Sequence, residues 1–227
     1  MSEFTVVVTG ANRGIGLELV KRNREAGRKV YALCRKSSPE LSETGAQVIA
    51  ATDVTDLSSL KNAVSQVEGE VDLLICNAGV LQNETLDDLK SVNEKALESI
   101  EKQFAVNTMG PIKTFSSFYN KLKKGSKIAM ITSRMGSIAD NTSGGRYGYR
   151  LSKGALNNVA RSLAFDLKDE EISLGLFHPG WVQTDMTGKT GHLTPEESSK
   201  KLYQRMEDLN LENTSGFWHP DGDILPW

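Results

Sequence analysis

The chain has 227 residues, of which 38 % are hydrophobic and 25 % are charged, a composition typical of a globular protein. A chain of this length can bury a core that needs no disulfide or metal to hold it. Its 27 basic and 29 acidic residues leave a net charge of −2, which gives no electrostatic basis for binding nucleic acid or an anionic membrane. No N-terminal signal segment and no apolar run as long as a membrane span is evident, so we expect a cytoplasmic protein.

Short apolar runs alternate with longer amphipathic stretches along the chain. The apolar runs predict strands, which cover residues 4–10, 29–34, 47–52, 71–79, 127–133 and 172–180. The amphipathic stretches predict helices, which cover residues 14–26, 56–68, 92–123, 147–168 and 194–209. The last helix has a clear start signal, because Thr194 offers an N-cap, Pro195 takes the first helical position and Glu197 completes a capping box. The aromatic tail that follows is expected to pack against the protein.

Strands that alternate with helices are typical of an α/β fold with a Rossmann-like, doubly wound parallel sheet. Near-continuous apolar strands fit a sheet that is covered on both faces. No linker, low-complexity tract or repeat divides the chain, so residues 1–227 are predicted to form a single domain. Cys34 and Cys76 lie within apolar strands and are expected to be small core residues in a reducing compartment.

A glycine-rich turn, TGANRGIG (9–16), joins the first strand to the first helix. Gly10, Gly14 and Gly16 allow a sharp turn and a close approach to a ligand, and a pyrophosphate can rest on the N-terminus of the following helix. Such a turn alone is weak evidence, because an ordinary structural turn can have the same composition. The strand before it and the helix after it favour a dinucleotide site.

The residues after the second strand indicate which dinucleotide is bound. Folds that prefer NAD usually carry an acidic residue there, whereas this chain has Arg35 and Lys36, and Arg13 stands inside the glycine-rich turn. An arginine fork binds the 2′-phosphate that distinguishes NADP from NAD. Two solvated surface cations are the alternative interpretation. The predicted cofactor is NADP(H).

The stretch GRYGYRLSKGA (145–155) contains one Tyr–Lys pair with helical spacing. Tyr149 and Lys153 are four residues apart and share a helix face, whereas Tyr147 lies six residues from the lysine and does not share it. A lysine near a phenol favours the phenolate and brings the tyrosine towards the range of general acid–base catalysis. In isolation, a half-buried tyrosine and a surface lysine would be the simpler explanation. Tyr147 is expected to line the entrance or to pack.

Seven motifs, in order and over nearly the whole chain, resemble those of the short-chain dehydrogenase/reductase family. They are TGANRGIG (9–16), Asp53-Val54, CNAG (76–79), Asn107 in FAVNTMGP, Ser133 in MITSRMGS, YRLSK (149–153) and PGWVQTDM (179–186). The short length and the ending DGDILPW are similar to the carbonyl-reductase-like branch that includes the C-factor and sniffer-type proteins.

The resemblance implies a catalytic set of Asn107, Ser133, Tyr149 and Lys153. Tyr149 would exchange a proton with the substrate oxygen. Ser133 would hold this oxygen by a hydrogen bond. Lys153 would lower the pKa of the phenol and bind the nicotinamide ribose, and Asn107 would anchor a water in a proton path. The residues implied to bind the cofactor are Gly10, Asn12, Arg13, Gly14, Ile15, Gly16, Arg35, Asp53, Val54, Asn77, Ala78, Gly79, Tyr149, Lys153, Pro179, Gly180, Val182 and Thr184.

The serine departs from the family pattern. Ser133 lies farther before Tyr149 than the serine of most relatives does, because the segment 139–146 carries extra residues. Ser137 is nearer to the tyrosine and is the alternative. Ser133 is preferred because it ends a strand and because Gly136 completes the S-x-x-G pattern.

The predicted function is NADPH-dependent reduction of a ketone or aldehyde to an alcohol. An alcohol dehydrogenase that uses the same residues in reverse is the alternative among enzymes, and an NADP-binding signalling or regulatory protein is the alternative outside them. The substrate is expected to be a small molecule, and the residues predicted to lie near it are Ser133, Arg134, Met135 and Trp181.

Metals and partner chains complete the predictions. The histidines at 178, 192 and 219 lack the spacing of metal ligands, so no metal is expected. The resemblance implies a possible homodimer through the two long helices, and neither nucleic acid nor membrane is expected as a partner.

Overall fold

A seven-stranded sheet lies at the centre of the computed structural model, which describes residues 3–227. In chain order the strands are β1 (Thr5–Thr9), β2 (Lys29–Leu33), β3 (Gln47–Ile49), β4 (Val71–Cys76), β5 (Leu122–Ile131), β6 (Ser173–Phe177) and β7 (Phe217–Trp218). Their order in the sheet is β3-β2-β1-β4-β5-β6-β7, and every neighbouring pair is parallel. The predicted Rossmann-like parallel sheet is confirmed.

Helices cover both faces of the sheet. In chain order they are α1 (Gly14–Glu25), α2 (Pro39–Ser42), α3 (Leu57–Ser65), α4 (Leu86–Lys90), α5 (Glu94–Phe104), α6 (Gly110–Phe118), α7 (Tyr147–Asp166) and α8 (Pro195–Asp208). Successive strand residues point to opposite faces, so Val7 packs in one core with Leu156 of α7, while Val8 packs in a second core with Leu202 of α8. Burial on both faces explains why the strands are apolar throughout.

The chain reverses its direction of travel across the sheet between β1 and β4. β2 and β3 extend the sheet on one side of β1, and the four later strands extend it on the other. Ligands bind outside the carboxyl ends of the strands at such a point. Thr9 ties the two strand ends together there, because its Oγ1 accepts hydrogen bonds from the backbone nitrogens of Asn77 (3.0 Å) and Ala78 (3.2 Å).

The helix predicted over 92–123 is interrupted. After α5, a π-helical turn covers Ala105–Met109, α6 follows, and a 3-10 turn covers Tyr119–Lys121. Pro111 has no N–H to donate, so regular α-helical hydrogen bonding cannot continue through this point. β5 then begins at Leu122, earlier than the predicted residue 127.

Short elements were missed, and the tail takes part in the sheet. Ser38 caps the four-residue α2 and Thr85 caps the five-residue α4, but neither segment has a long enough apolar period to be recognised. The tail supplies β7, and Phe217 is fully buried with its ring 5.4 Å from that of Trp227. The predicted capping box of α8 at Thr194 and Glu197 is confirmed. Within residues 3–227, no helix has the length and apolarity required to cross a bilayer.

Candidate active site

A cleft of about 1030 Å³ opens at the carboxyl ends of the central strands. All the residues predicted to bind the cofactor line it, with the exceptions of Gly180 and Val182. Val182 is 3 % exposed and pairs with Leu193, so its side chain belongs to the core. Gly180 has a φ of +87°, and a Cβ there would stand 2.8 Å from Leu193. These two residues therefore pack the segment after β6 against the protein and do not face the cleft.

The glycine-rich turn is packed so tightly that side chains would not fit. A Cβ on Gly10 would stand 2.8 Å from the Cα of Ala78, and one on Gly16 would stand 2.5 Å from Nδ2 of Asn77. That nitrogen donates to the carbonyl oxygens of Thr9 (3.1 Å) and Gly10 (3.2 Å). The turn thus presents bare backbone to the cleft at the start of α1, a geometry that fits a pyrophosphate group.

One end of the cleft is basic. Arg13, Arg35 and Lys36 all line it, and the side chains of Arg35 and Lys36 are exposed. Asp53 is the nearby acid, and its Oδ1 accepts hydrogen bonds from the backbone nitrogen (2.9 Å) and hydroxyl (2.7 Å) of Thr55. Partial burial would raise the pKa of Asp53, but these bonds and the charges of nearby basic side chains lower it overall.

The glycine-rich turn also contacts the segment that follows β6. Arg13 and Asp185 form an exposed ion pair with a separation of 2.8 Å, and both residues line the cleft. A Cβ on Gly14 would stand 3.4 Å from the methyl group of Thr184. Arg13 was predicted to face the cofactor, but its acidic partner could not be predicted from the sequence.

Tyr149 and Lys153 lie on one face of α7 and both line the cleft. The Lys153 Nζ is 6.0 Å from the centre of the Tyr149 ring and donates a hydrogen bond of 2.9 Å to the carbonyl oxygen of Ile131. Burial of this amine lowers the pKa of Lys153 to about 8. The helical spacing therefore brings the pair together as predicted.

The pKa of Tyr149 shifts in the direction opposite to the prediction. Burial raises it, and the interactions with the Ser133 side chain and the charge of Arg146, which lower it, do not compensate. The sequence shows which residues share a helix face, but it does not show how much water the packed protein removes from the phenol.

Ser133, and not Ser137, lies beside the phenol. The interaction of Ser133 with Tyr149 favours the phenolate, and Oγ of Ser133 accepts a hydrogen bond of 3.1 Å from the backbone nitrogen of Met135. Ser137 is buried, and its Oγ accepts a hydrogen bond of 3.0 Å from the backbone nitrogen of Asp140.

Asn107 is fully buried in the π-helical turn and holds the start of the segment after β4. Its Oδ1 accepts a hydrogen bond from the Val80 nitrogen and its Nδ2 donates to the Val80 oxygen, both at 2.8 Å. Nδ2 also donates to Oγ of Ser152 at 3.0 Å. A Cβ on Gly79 would stand 3.3 Å from Oδ1 of Asn107 and 3.8 Å from Nζ of Lys153, so the glycine keeps these groups close.

The residues predicted to contact substrate lie outside the set that lines the cleft; these predicted residues are Ser133, Arg134, Met135 and Trp181. Arg134 forms an ion pair with Asp140, and its two hydrogen bonds measure 2.7 and 3.0 Å. Trp181 is 53 % exposed and its ring meets that of His192 edge-on at 5.0 Å. Met135 is half-buried next to Ser133. Tyr147, predicted to line the entrance or to pack, is half-buried at the first position of α7.

The cleft also contains residues that motif analysis did not single out. They are Cys34, Thr52, Thr55, Val80, Lys102, Ala105, Val106, Ile131, Thr132, Gln183 and Asp185. Most follow a strand or lie in the π-helical turn, positions that become visible only when the strand order is known. Met186, Lys189 and Pro195, which follow the PGWVQTD stretch, also line the cleft.

Comparison with known proteins identifies the family. The model of the short chain dehydrogenase family matches residues 4–194, so the chain belongs to this family. A 1-hydroxy-2-glutathionyl-2-methyl-3-butene dehydrogenase from Rhodococcus sp. (strain AD45) is 34 % identical over 98 % of this chain and 99 % of its own. The predicted family is confirmed.

Solved structures with the same fold include carbonyl reductases. The carbonyl reductase Sniffer of D. melanogaster superposes with a TM-score of 0.89 at 27 % identity. An NADPH-bound carbonyl reductase from chicken fatty liver superposes with a TM-score of 0.88, also at 27 % identity. Both alignments cover the whole of each chain.

Proposed function

We propose that the protein is an NADPH-dependent carbonyl reductase that converts a ketone or aldehyde to an alcohol. The observation that carries this proposal is that one cleft joins a bare glycine-rich turn and a basic end to the Tyr149–Lys153 pair. The NADPH-bound chicken carbonyl reductase, with which the chain shares its fold and 27 % of its residues, supports the same assignment.

The cofactor residues would divide the dinucleotide between them. Gly10, Gly14 and Gly16 would accommodate the pyrophosphate, and Arg35 with Arg13 would bind the 2′-phosphate through charge-assisted hydrogen bonds. Lys36 extends the basic surface. NADPH would supply the hydride, and the chain would supply the proton and the site that holds the substrate oxygen.

Tyr149 would donate the proton to the substrate oxygen. Ser133 would donate a hydrogen bond to the same oxygen, because its hydroxyl lies beside the Tyr149 phenol and its Oγ already accepts a hydrogen bond from the Met135 nitrogen. After proton donation, the phenolate would be stabilised by the positive charge of Lys153, whose Nζ is 6.0 Å from the ring centre. Water held between Asn107 and Lys153 would return the proton, since Gly79 keeps the two side chains near each other.

Two measurements test this function. Titration with NADPH and NADH, followed by nicotinamide fluorescence, should show at least about tenfold tighter binding of NADPH, and Arg35→Ala should remove the difference. NADPH consumption with a panel of ketones and aldehydes should be abolished by Tyr149→Phe without loss of NADPH binding. A wild type that binds neither NADPH nor NADH would contradict the proposed function.

Oxidation of an alcohol is the second candidate reaction. The Rhodococcus relative carries the name of a dehydrogenase of a hydroxylated compound, and the same four residues would serve in reverse. Oxidation requires the phenolate at the start of the reaction, whereas reduction requires the phenol. Rates measured in both directions between pH 6 and pH 10 would therefore separate them, because oxidation should gain with rising pH.

A homodimer through α5 and α7 is also proposed. Leu97 and Phe104 on α5, and Leu151 and Phe165 on α7, leave large apolar side chains exposed on two helices that pack side by side. Sedimentation of the wild type and of Leu151→Glu would test this arrangement, because a charge in the interface should produce monomers.

A further inference from the structure

Glu84 is a buried carboxylate that no motif explains. It lies in the segment that follows β4 and is 3 % exposed. Its Oε1 accepts hydrogen bonds from Oγ of Ser99 and Nε2 of Gln103, both at 2.5 Å, and its Oε2 accepts one of 3.1 Å from the backbone nitrogen of Gly148. None of the ion pairs found among residues 3–227 includes it.

The third of these bonds reaches the first turn of the helix that carries Tyr149. Gly148 is the second residue of α7 and immediately precedes Tyr149. The first backbone nitrogens of a helix lack partners within it and carry a positive partial charge. Arg146 precedes the helix with a left-handed φ of 51° and makes no side-chain cap. Glu84, which is distant in the sequence, therefore caps the start of α7 in place of a local side chain.

The start of α7 is held directly against α5. A Cβ on Gly148 would stand 2.5 Å from Nε2 of Gln103 and 2.9 Å from Cα of Ile100. Gln103 is fully buried, and its Oε1 accepts a hydrogen bond of 2.9 Å from the backbone nitrogen of Gln82. The segment that begins at Val80, beside Asn107, is thus fixed along its length between the cleft and the first turn of α7.

We propose that Glu84 is a positioning residue for the reaction of Tyr149: its carboxylate holds the first turn of α7, and its negative charge favours the protonated phenol. This inference rests on the proposed function, because it assigns Glu84 a part in the same reaction. Glu84 itself does not line the cofactor cleft. Its effect on the tyrosine is therefore exerted through the helix and through charge.

Several other charged groups surround Glu84 and Tyr149. Glu84 lines a shallow polar depression together with two other acidic and two basic side chains, namely Asp88, Glu98, Lys95 and Lys102. α7 itself offers Glu84 a backbone N–H at Gly148. The groups that face Tyr149 are the Ser133 hydroxyl, the positive charge of Arg146 and the amine of Lys153. Because Glu84 contacts the residue next to Tyr149, removal of its charge is expected to favour the phenolate.

Glu84→Gln tests the charge, and Glu98→Gln is the matched control. Both remove one carboxylate from the same depression, but Glu98 is exposed. The pH–rate profile of NADPH-dependent carbonyl reduction in Glu84→Gln should move to lower pH by about half a unit or more, with the NADPH dissociation constant unchanged within about twofold. The profile of Glu98→Gln should coincide with that of the wild type.

Glu84→Ala tests the positioning. We expect kcat to fall about tenfold while the KM for NADPH stays within about twofold, since the cofactor site is not touched. If Glu84→Ala does not fold, Glu84→Gln decides the question alone. A Glu84→Gln profile that overlays the wild type, or equal losses of kcat and NADPH affinity in the two Glu84 variants, would overturn the proposal.

Failure of the proposed function would be visible separately. If the proposed function is wrong, the wild type will turn over neither carbonyls nor alcohols. If only the Glu84 inference is wrong, the wild type will be active and the Glu84 variants will be equally active. Amide hydrogen exchange needs no substrate. The Gly148 amide should exchange about tenfold faster or more in Glu84→Ala and not in Glu98→Gln, and unchanged protection in Glu84→Ala would contradict the positioning role.

Discussion

Nζ of Lys153 donates a hydrogen bond of 2.9 Å to the carbonyl oxygen of Ile131, the last residue of β5. This bond connects the helix that carries Tyr149 to the strand that ends just before Ser133. It also keeps an amine that is 4 % exposed within the protein, where burial lowers its pKa to about 8. The lysine therefore costs stability when it is charged.

Lys153→Met should change how stability depends on pH. The folded pKa of Lys153, about 8, lies below its ordinary value of 10.5, so the unfolded chain binds more protons between these values and stability rises with pH in that window. Between pH 7 and pH 9.5 the wild type should gain about 2 kcal/mol of unfolding free energy relative to Lys153→Met. Urea denaturation at both pH values measures the difference.

Lys153→Arg is the control for this prediction, because arginine stays charged throughout the window. The unfolding free energies of Lys153→Arg and Lys153→Met should both lack the extra rise with pH that the wild type shows. Parallel pH dependences of the wild type and Lys153→Met would show that the amine is not buried.

Ser133→Ala and Ser137→Ala should separate the two candidate serines. Ser133 lies beside the phenol of Tyr149, so its loss should lower kcat for carbonyl reduction about a hundredfold. Ser137 bonds only the turn at Asp140, so its loss should cost about 1 kcal/mol of stability and leave kcat near the wild-type value. Steady-state rates and thermal melts of both variants decide. The reverse pattern would assign the role to Ser137.

Asp185→Asn should strengthen NADPH binding. Asp185 holds Arg13 at 2.8 Å and places a negative charge in the cleft where the 2′-phosphate is proposed to bind. Its neutralisation should tighten NADPH about two- to fivefold and NADH less. The melting temperature should hardly change, because both partners are exposed and such pairs contribute roughly 0–1 kcal/mol.

The double variant Arg13→Ala/Asp185→Asn checks the origin of that gain. If Asp185 acts through Arg13, Asp185→Asn should have much less effect in the Arg13→Ala background. An equal gain with and without Arg13 would instead indicate direct repulsion between Asp185 and the cofactor.

His178 should make the protein sensitive to acid. It is 7 % exposed, and its Nδ1 has no hydrogen-bond partner among residues 3–227. Burial, assisted by the charges of His219 and Arg134, lowers the pKa of His178 to about 3. The pKa of His178 in the folded protein lies below its ordinary value of 6.5. The fold therefore has its full stability above pH 6.5, where His178 is neutral in both states, and loses stability as the pH falls towards 3. At pH 5 the loss should be about 2 kcal/mol.

His178→Met provides the comparison. Between pH 7.5 and pH 5 the wild type should lose about 2 kcal/mol more unfolding free energy than His178→Met. A constant difference across this range would mean that the imidazole takes up a proton without unfolding, for example by pairing with Asp140.

Local patterns predicted the parts of the fold that depend on neighbouring residues. The alternation of strands and helices predicted the parallel sheet, and the spacing of Tyr149 and Lys153 placed them on one face of α7. Relationships across the chain could not be predicted in this way. Glu84 and Gly148 are 64 residues apart and Arg13 and Asp185 are 172 apart, and no local period connects either pair.

Burial was the second quantity that the sequence did not provide. The prediction that Lys153 lowers the pKa of Tyr149 considered charge alone, and desolvation raises it in the folded protein. The interruption at Ala105–Met109 was missed for a related reason. A π-helical turn differs from an α-helix by one inserted residue, and the apolar periodicity used to predict the helix does not mark such an insertion.

β7 sets how much of the chain a minimal folded fragment must retain. The match to the family model ends at residue 194, yet β7 completes the sheet beside β6 with the fully buried Phe217, and Leu225 is also in the core. A fragment cut at residue 194 would expose the backbone edge of β6 to other molecules, and unpaired edges promote aggregation. Expression of shorter versions therefore has to include the chain as far as Leu225.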